Sequence, residues 1–585
     1  MPAALPPHRA CGPNRPRCIQ SPPQTHAMWI KIATMAVSRH RGPTLARRAR
    51  SGRRVSRRLA VRSVAAPTRE GMESGQGDVA GERFVWARHW YPVAPLTWLE
   101  EAQGDGFESG LPEVQRMAIL GRDIVVWKDG EGAWRAVEDR CPHRLAALSL
   151  GSVQEDGTLA CRYHGWCFNG KGECTHIPQA TDATSEATAC SSVRSKVQAF
   201  PTLTAHGLLW VWPDDSASAW IDSAVEPPLV GPNIDKLNIK SMYELPSTYT
   251  SYLENSLDPS HVNFLHDGLG NYSPTNAMPI ADFEVKGDIT ANGGFTLRHS
   301  AYAKSNDGMQ ATRRFRPPCL NSGEYDLPNK SKMLFELYFV PTRPGFVRVM
   351  GDINFVPGSS TLPPRRSIIG MAALLWTSLS RLPLRFMEML VPDFVVASLG
   401  SIRSGLFFQD AIANRSIDVA FSRSGKTWQQ LYFLPTPSDV GVSAFRQWIN
   451  RFSDGQPDWF CGGSDQEATA KVPESDLYDR WNGYGKYSPS IRKSLKFFGN
   501  MESTLSAAAI GLLGLAAIVA ARAANLNIAV AGAAVAGACL LARFEVQKLR
   551  NRLLTGIPSC GMPEVPLKWP STAGAPTAEA GLHIG

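Results

Sequence analysis

The first 69 residues of this 585-residue chain contain no acidic residue; Glu70 is the first. Fifteen lysines and arginines fall in that stretch, so the formal charge of +9 is local to it, and the remainder holds 46 basic residues against 52 acidic ones. A net-negative remainder excludes nucleic-acid binding on charge grounds. The leader also lacks an apolar core run, which excludes a secretory signal. A paired cysteine framework is missing too, because the 11 cysteines are odd in number and scattered along the chain. Charged residues are few, at 19%, and no repeat of fixed period is evident. What is present is material for two or three packed domains: 43% hydrophobic residues, with 16 Trp and 24 Phe.

Residues 1 to about 66 are rich in Arg, Ser, Pro and Ala and include RRARSGRRVSRRLAVRSVAA, the composition of a disordered organelle transit peptide, plastid in preference to mitochondrion. After a linker, FVWARHWYPVAPLTWLEE opens a small all-β domain expected over 84–215. Within it, RMAILGRDIVVWKDGEGAWRAVEDRC gives two Val- and Trp-rich runs around Asp129-Gly130, the pattern of a hairpin. An α+β domain with an antiparallel sheet is expected over 235–485, from strand-like runs such as KMLFELYFVPTRPGFVRVMGDINFVP and helix-like runs such as SAFRQWINRFSD. Residues 367–396 are apolar but broken by Arg381, Pro383, Arg385 and Glu388, and read as a buried or membrane-facing helical surface. Thr504–Ala521 and Asn525–Ala542 are uncharged stretches of 18 residues, each about 27 Å as a helix against a bilayer core of about 30 Å. Basic residues precede and follow the pair, so 504–542 reads as a two-helix transmembrane hairpin with both outer ends on the basic side, and 553–585 as a disordered tail.

Cys141-Pro142-His143-Arg144 is followed, after 17 residues beyond His143, by Cys161-Arg162-Tyr163-His164-Gly165-Trp166. Two short loops, each offering one thiolate and one imidazole, suit a Rieske 2Fe-2S cluster with Cys141 and Cys161 on one iron and His143 and His164 on the other. Zinc uses the same donor types, but the usual finger does not alternate Cys and His within each loop. Farther on, Asn255, Asp258, His261 and His266 crowd into twelve residues. Two histidines and a carboxylate are the donors that hold a mononuclear Fe(II) with open positions for dioxygen and substrate. On an ideal helix Asn255, Asp258 and His261 share a face, whereas His266 lies about 140° away, so local unwinding is expected. Asp258 also reads as a helix N-cap with Pro259 in the first position and Gly268 as the stop.

GAWRAVEDRCPHRLAALSLG and CRYHGWCFNGKGECTHIPQA resemble the Rieske loops of the plant pheophorbide a oxygenase group, whose relatives include chlorophyllide a oxygenase and the Rieske component of the chloroplast inner-envelope translocon. RFVWARHWYPVAPL, the 255–266 segment and FLPTPSDVGVSAFRQWINRF carry the resemblance from about 84 to 500. By that resemblance His261 and His266 ligate the iron, and Asp258 bridges to a Rieske histidine of the neighbouring subunit. The third ligand comes from the Gln-Asp pair of SGLFFQDAIANRSID, Asp410, with Asp418 and Asp393 as competitors.

The resemblance further implies a ferredoxin donor, a trimer, and a chloroplast membrane, thylakoid or inner envelope, with the catalytic domain in the stroma. Its expected chemistry is insertion of oxygen from O2 into a chlorophyll-derived tetrapyrrole such as pheophorbide a. Side-chain hydroxylation of a phyllobilin, protochlorophyllide or chlorophyllide is an alternative, as is a non-catalytic electron-transfer role in the translocon. Electron-transfer Rieske proteins place a disulfide cysteine two residues after the first-loop histidine; here that position is Leu145, and Cys167 and Cys174 read as reduced packing cysteines. The group's CxxC before the membrane helices is replaced by GKYSPSIRKSLKFF, so thioredoxin-type control through that pair is not expected.

Overall fold

Asp129 shows how the first half of the chain is built. In this computed structural model its Oδ1 accepts from the backbone N–H groups of Glu131 and Ala133 at 3.0 and 2.9 Å, while Gly132 takes φ +80°. Asn169 repeats the device: its Oδ1 accepts from Lys171 and Glu173, both at 3.0 Å, and Gly172 takes φ +74°. Short polar side chains that cap their own turn, followed by glycine, make tight hairpins. The structure describes residues 83–103, 113–239, 241–267, 272–328, 330–356, 358, 406–473, 476–477, 479–522 and 526–555. The leader 1–66, the segment 367–396, Asp393 and Gly268 lie outside them.

In chain order the first strands are β1 (Tyr91–Pro95), β2 (Gln115–Ile119), β3 (Arg122–Lys128), β4 (Trp134–Glu138), β5 (Ser152–Val153), β6 (Leu159–Ala160), β7 (Cys167–Phe168), β8 (Cys174–His176), β9 (Ala199–Phe200), β10 (Thr202–Ala205) and β11 (Leu208–Val211). They form antiparallel sheets in the orders β1-β11-β10, β2-β3-β4-β9 and β5-β6-β7-β8. A helix α1 (Ala183–Ser191) lies between β8 and β9, capped by Asp182, which accepts from Thr184 and Ser185. Val125, Trp127, Val137, Leu159 and Phe168 bury together beneath the two cluster loops.

The second half is a seven-stranded antiparallel sheet, β12 (Ser241–Leu245), β13 (Phe283–Thr290), β14 (Gly294–Ser300), β15 (Gln310–Arg316), β16 (Leu320–Asp326), β17 (Lys332–Arg343) and β18 (Phe346–Val356), in the order β12-β18-β17-β16-β15-β14-β13. The expected long run splits at Pro344-Gly345 into β17 and β18, with Gly345 at φ +78° in the turn. Helices α2 (Tyr249–Leu257), α4 (Leu406–Ser424) and α5 (Val440–Ser453) pack with this sheet, and the short α3 (Val262–Leu265) follows α2. Aromatic residues weld the segment just before β1 to that core: Trp86 lies edge-on to Tyr249 and near Trp448, and its Nε1 donates to Ser453 Oγ. The fold is α+β.

Two long helices close the described chain, α6 (Pro489–Ala521) and α7 (Leu526–Leu554). Each outruns the expected 18-residue stretch, because the helical pattern continues into polar sequence on the near side. There Ile491, Phe498, Val546 and Leu553 make a small core of their own. Leu553 and Leu554, where a disordered tail was expected to begin, finish α7, and Thr555 bridges to Asp479; residues 556–585 lie outside the described ones.

Candidate metal centres

The two cluster loops are built alike. In the first, Cys141 N–H donates to Ala146 O and Leu145 N–H to Cys141 O; in the second, Cys161 N–H donates to Trp166 O and Gly165 N–H to Cys161 O, all at 2.8–2.9 Å. Each loop turns through a left-handed residue four positions after its cysteine, Leu145 at φ +63° and Gly165 at φ +74°. Both thiols are buried while His143 lies exposed at the tip, its ring 4.6 Å from that of His164. Trp166 stacks on His143 at 4.7 Å and Tyr163 leans on His164 at 4.0 Å, ring contacts that fix the imidazoles. Burial pushes the Cys141 thiol up to about 11, with Cys161 beside it adding to the shift. Two buried thiols side by side, on loops that also carry two imidazoles in ring contact, fit a cluster whose irons would bind the thiolates.

The second centre rests on a broken helix. Asp258 is not the start of one: it ends α2 as its C-cap, its N–H bonded to Glu254 O and Asn255 O at 3.1 and 3.2 Å. Pro259 has no N–H to continue α2, so Asn255, Asp258 and His261 do not share one helix face, and the N-cap reading fails because residues 259–260 form a bend and the next helical turn starts only at Val262. Asp258 Oδ1 instead accepts from Ser260 N–H at 2.7 Å. The chain then makes the single turn α3, with His261 at its leading end and His266 at its trailing end. A one-turn helix flanked by the two histidines explains their five-residue spacing.

Asp410 meets them from α4. Its Oδ1 lies 3.2 Å from His266 Nε2 and 3.5 Å from His261 Nε2, and one donor atom from each of the three falls within 4.8 Å of the others. The opposite ring nitrogens are already engaged: His261 Nδ1 with Asp258 O at 2.5 Å, and His266 Nδ1 with Gln409 Oε1 at 2.8 Å. Those contacts fix both tautomers so that Nε2 points inward, as a metal-binding histidine requires. Asn255 Nδ2 donates to Asp410 Oδ1 at 3.3 Å. Burial pushes the Asp410 carboxyl up, but the two imidazoles more than reverse this and hold it below the usual carboxylate range. The His261 imidazole is opposed by burial and raised overall by Asp410. A buried carboxylate that depends on neighbouring positive charge suits a divalent cation.

The competitor Asp418 serves a different purpose. It accepts from Thr248 N–H at 2.9 Å, Thr248 Oγ1 at 2.8 Å, Ser247 Oγ at 3.2 Å and Ser251 Oγ, tying α4 to the start of α2. Gln409 was not singled out from the sequence as a positioning group, nor Trp166 as a ring support. Gln409's adjacency to Asp410 was the available signal, but two neighbours on one helix both facing the site can be known only from the fold.

A cavity of about 590 Å³ opens beside this centre, with Asn255, Asp258, His261 and Gln409 on one wall and Tyr432 and Phe433 on another. Its lining is mainly apolar. Residues 89–201 match the model of the Rieske [2Fe-2S] domain. Over 487 residues the chain is 30% identical to pheophorbide a oxygenase of Oryza sativa subsp. japonica, covering 80% of this chain and 84% of that one. The chain belongs to the pheophorbide a oxygenase group of Rieske oxygenases. This Rieske oxygenase is also 28% identical to protochlorophyllide-dependent translocon component 52 of Arabidopsis thaliana, over 73% of this chain and 76% of that one. With flavonoid 8-hydroxylase 2 of Ocimum basilicum the identity is 27%, over 75% and 79%.

Proposed function

We propose that this Rieske oxygenase inserts oxygen from O2 into a chlorophyll-derived tetrapyrrole, pheophorbide a or a close relative, at a plastid membrane. The observation that carries the reading is the convergence of His261, His266 and Asp410, with His261 itself lining an apolar cavity, in a chain that also holds a Rieske loop pair. A pure electron carrier has no use for the second centre. The names and chloroplast address of the most similar relatives support the substrate class and the compartment.

Cys141, His143, Cys161 and His164 would hold the cluster and His261, His266 and Asp410 the Fe(II), which together supply single electrons and a binding position for dioxygen. Gln409 and the Asp258 carbonyl keep the histidines aimed, Asn255 steadies Asp410, and the apolar walls strip water from a flat hydrophobic substrate. Asp258 keeps a partly exposed carboxylate, one oxygen accepting from Ser260 N–H and the other 4.0 Å from His261 Nδ1, which supports its role as the bridge to a neighbouring subunit's cluster in a trimer. The exposed Leu145 and Tyr163 beside the cluster histidines give a partly apolar tip for that contact or for a ferredoxin donor. The helix pair α6 and α7 supports anchoring in thylakoid or envelope, with the catalytic domain on the basic, stromal side.

The test is metal content and labelled-oxygen turnover. Anaerobically purified enzyme should carry three irons per chain, two in the cluster and one alone. Incubated under labelled O2 with pheophorbides, chlorophyllides, bilins and flavonoids, it should label a tetrapyrrole. His261→Ala should abolish labelling while the reduced-cluster EPR signal persists. Two irons per chain despite excess Fe(II) would leave only the electron-carrier reading. Labelling of flavonoids alone would move the substrate class.

A further inference from the structure

Cys174 Sγ and Cys190 Sγ stand 3.3 Å apart, and neither belongs to the metal centres above. Cys174 sits in β8, on the hairpin that continues the second cluster loop; Cys190 sits near the end of α1. Cys174 is buried, whereas Cys190 is half-buried and reachable by a small molecule. α1 has no fully buried residue, and its contact with the domain core is made by the partly buried Cys190. Polar ties hold it in place: the Glu186 carboxylate engages Ile177 N–H at 2.8 Å and His176 Nδ1 at 2.6 Å, and Ser195 Oγ donates to Cys190 O at 3.0 Å. The helix is pinned at both ends of its contact with β8, with the two sulfurs left facing each other.

We propose that Cys174 and Cys190 form a reversible disulfide that staples α1 to the β7–β8 hairpin behind the second cluster loop. Bond formation brings the sulfurs from contact to about 2.05 Å, a side-chain rotation rather than a refolding. With a low-molecular-weight disulfide as oxidant, the Cys190 thiolate attacks one of its sulfurs and expels one small thiolate. Cys174 then gives its proton to solvent and displaces the second. Two cysteine thiols are oxidised, one small disulfide is reduced to two thiols, and two electrons move in all. Burial pushes the Cys174 thiol up to about 12, so the half-buried Cys190 is where the oxidant attacks and Cys174 resolves. Cys167, the third thiol nearby, donates to Gly165 O at 3.3 Å and stands aside.

Both cysteines lie between Lys171 and Arg194 with no intervening Lys or Arg, so trypsin releases them on one peptide, and cleavage after Glu186 separates them. The holoenzyme is equilibrated in glutathione buffers of graded poise, alkylated, and digested with trypsin and then a glutamate-specific protease. In oxidising buffer the tryptic peptide should resist alkylation, weigh about 2 Da less, and stay joined after the second cut until reduced. The same sample should keep its Rieske EPR signal, and its thermal transition should rise by several degrees. Cys174→Ser and Cys190→Ser should each abolish both effects. Full alkylation of both cysteines across the whole range with the EPR signal intact would overturn the proposal. So would a glutathione adduct on Cys190 with Cys174 still free, or a bridge from Cys167.

Discussion

Gln409 offers no ligand atom, yet it decides which nitrogen of His266 faces inward. Its Oε1 holds Nδ1 at 2.8 Å, and a leucine there would free the ring to flip or take the other tautomer. Gln409→Leu is expected to weaken binding of the mononuclear iron about 10–100-fold with the Rieske EPR signal unchanged. Gln409→Glu, which keeps an acceptor, should retain most of the affinity, as read by iron titration of the apo centre. Asp465 makes a different single-residue case. Burial pushes its carboxyl up to about 7, and only the Gly345 N–H at 3.0 Å serves its Oδ1. An acid whose folded pKa exceeds its unfolded value of about 4 holds its proton longer when folded, so stability falls as pH rises from about 4 to 7 and the loss persists above 7. Asp465→Asn removes the ionisation and keeps the acceptor. It should match the parent near pH 4 and exceed it above pH 7 by on the order of 1–2 kcal/mol, measured by denaturant unfolding at each pH. The sequence exposed neither effect, because side-chain partners and burial exist only once distant segments meet.

At the scale of elements, the site is a junction between the broken pair α2 and α3 and the long α4. The five-residue spacing of His261 and His266 made some unwinding legible in the sequence, but the break itself falls at Asp258-Pro259, which the sequence offered as a helix start. Which acid of α4 completes the donor set was not legible, since Asp410 and Asp418 both follow the same apolar run. The fold separates them: Asp410 faces the imidazoles and Asp418 holds the hydroxyls and N–H at the start of α2. Asp410→Ala should remove the mononuclear iron at a smaller cost in stability than Asp418→Ala, because the histidines it leaves behind can stay neutral and only Asn255 loses an acceptor. Asp418→Ala leaves several buried donors unpaired and should cost about 2–4 kcal/mol in unfolding free energy. Equal loss of iron with no destabilisation in Asp418→Ala would reverse the assignment.

Across the whole molecule, the helical hairpin sets where the chemistry happens. α6, at 33 residues, is about 50 Å long, roughly 20 Å more than a bilayer core. The excess is polar and lies on the near side, where Arg550 approaches Glu502 at 3.6 Å and the small core around Phe498 and Leu553 forms. Ile510, Leu515, Ile518, Leu526 and Leu541 stay exposed farther out, a surface that lipid would cover. The enzyme is expected to resist alkaline carbonate extraction from membranes. Leu515→Arg, with an insertion cost of about 3 kcal/mol, should release a large fraction while the cluster signal per chain stays constant.

The sequence by itself determined the donor types, the two loop motifs, the order of the domains and the apolar hairpin. These follow from local spacing and composition, which survive without knowledge of the fold. Only the tertiary structure decided which carboxylate meets the histidines, which side chains hold their tautomers, and that Cys174 faces Cys190. Each of those is a contact between segments far apart in the chain or on separate elements, fixed by packing that no local pattern encodes.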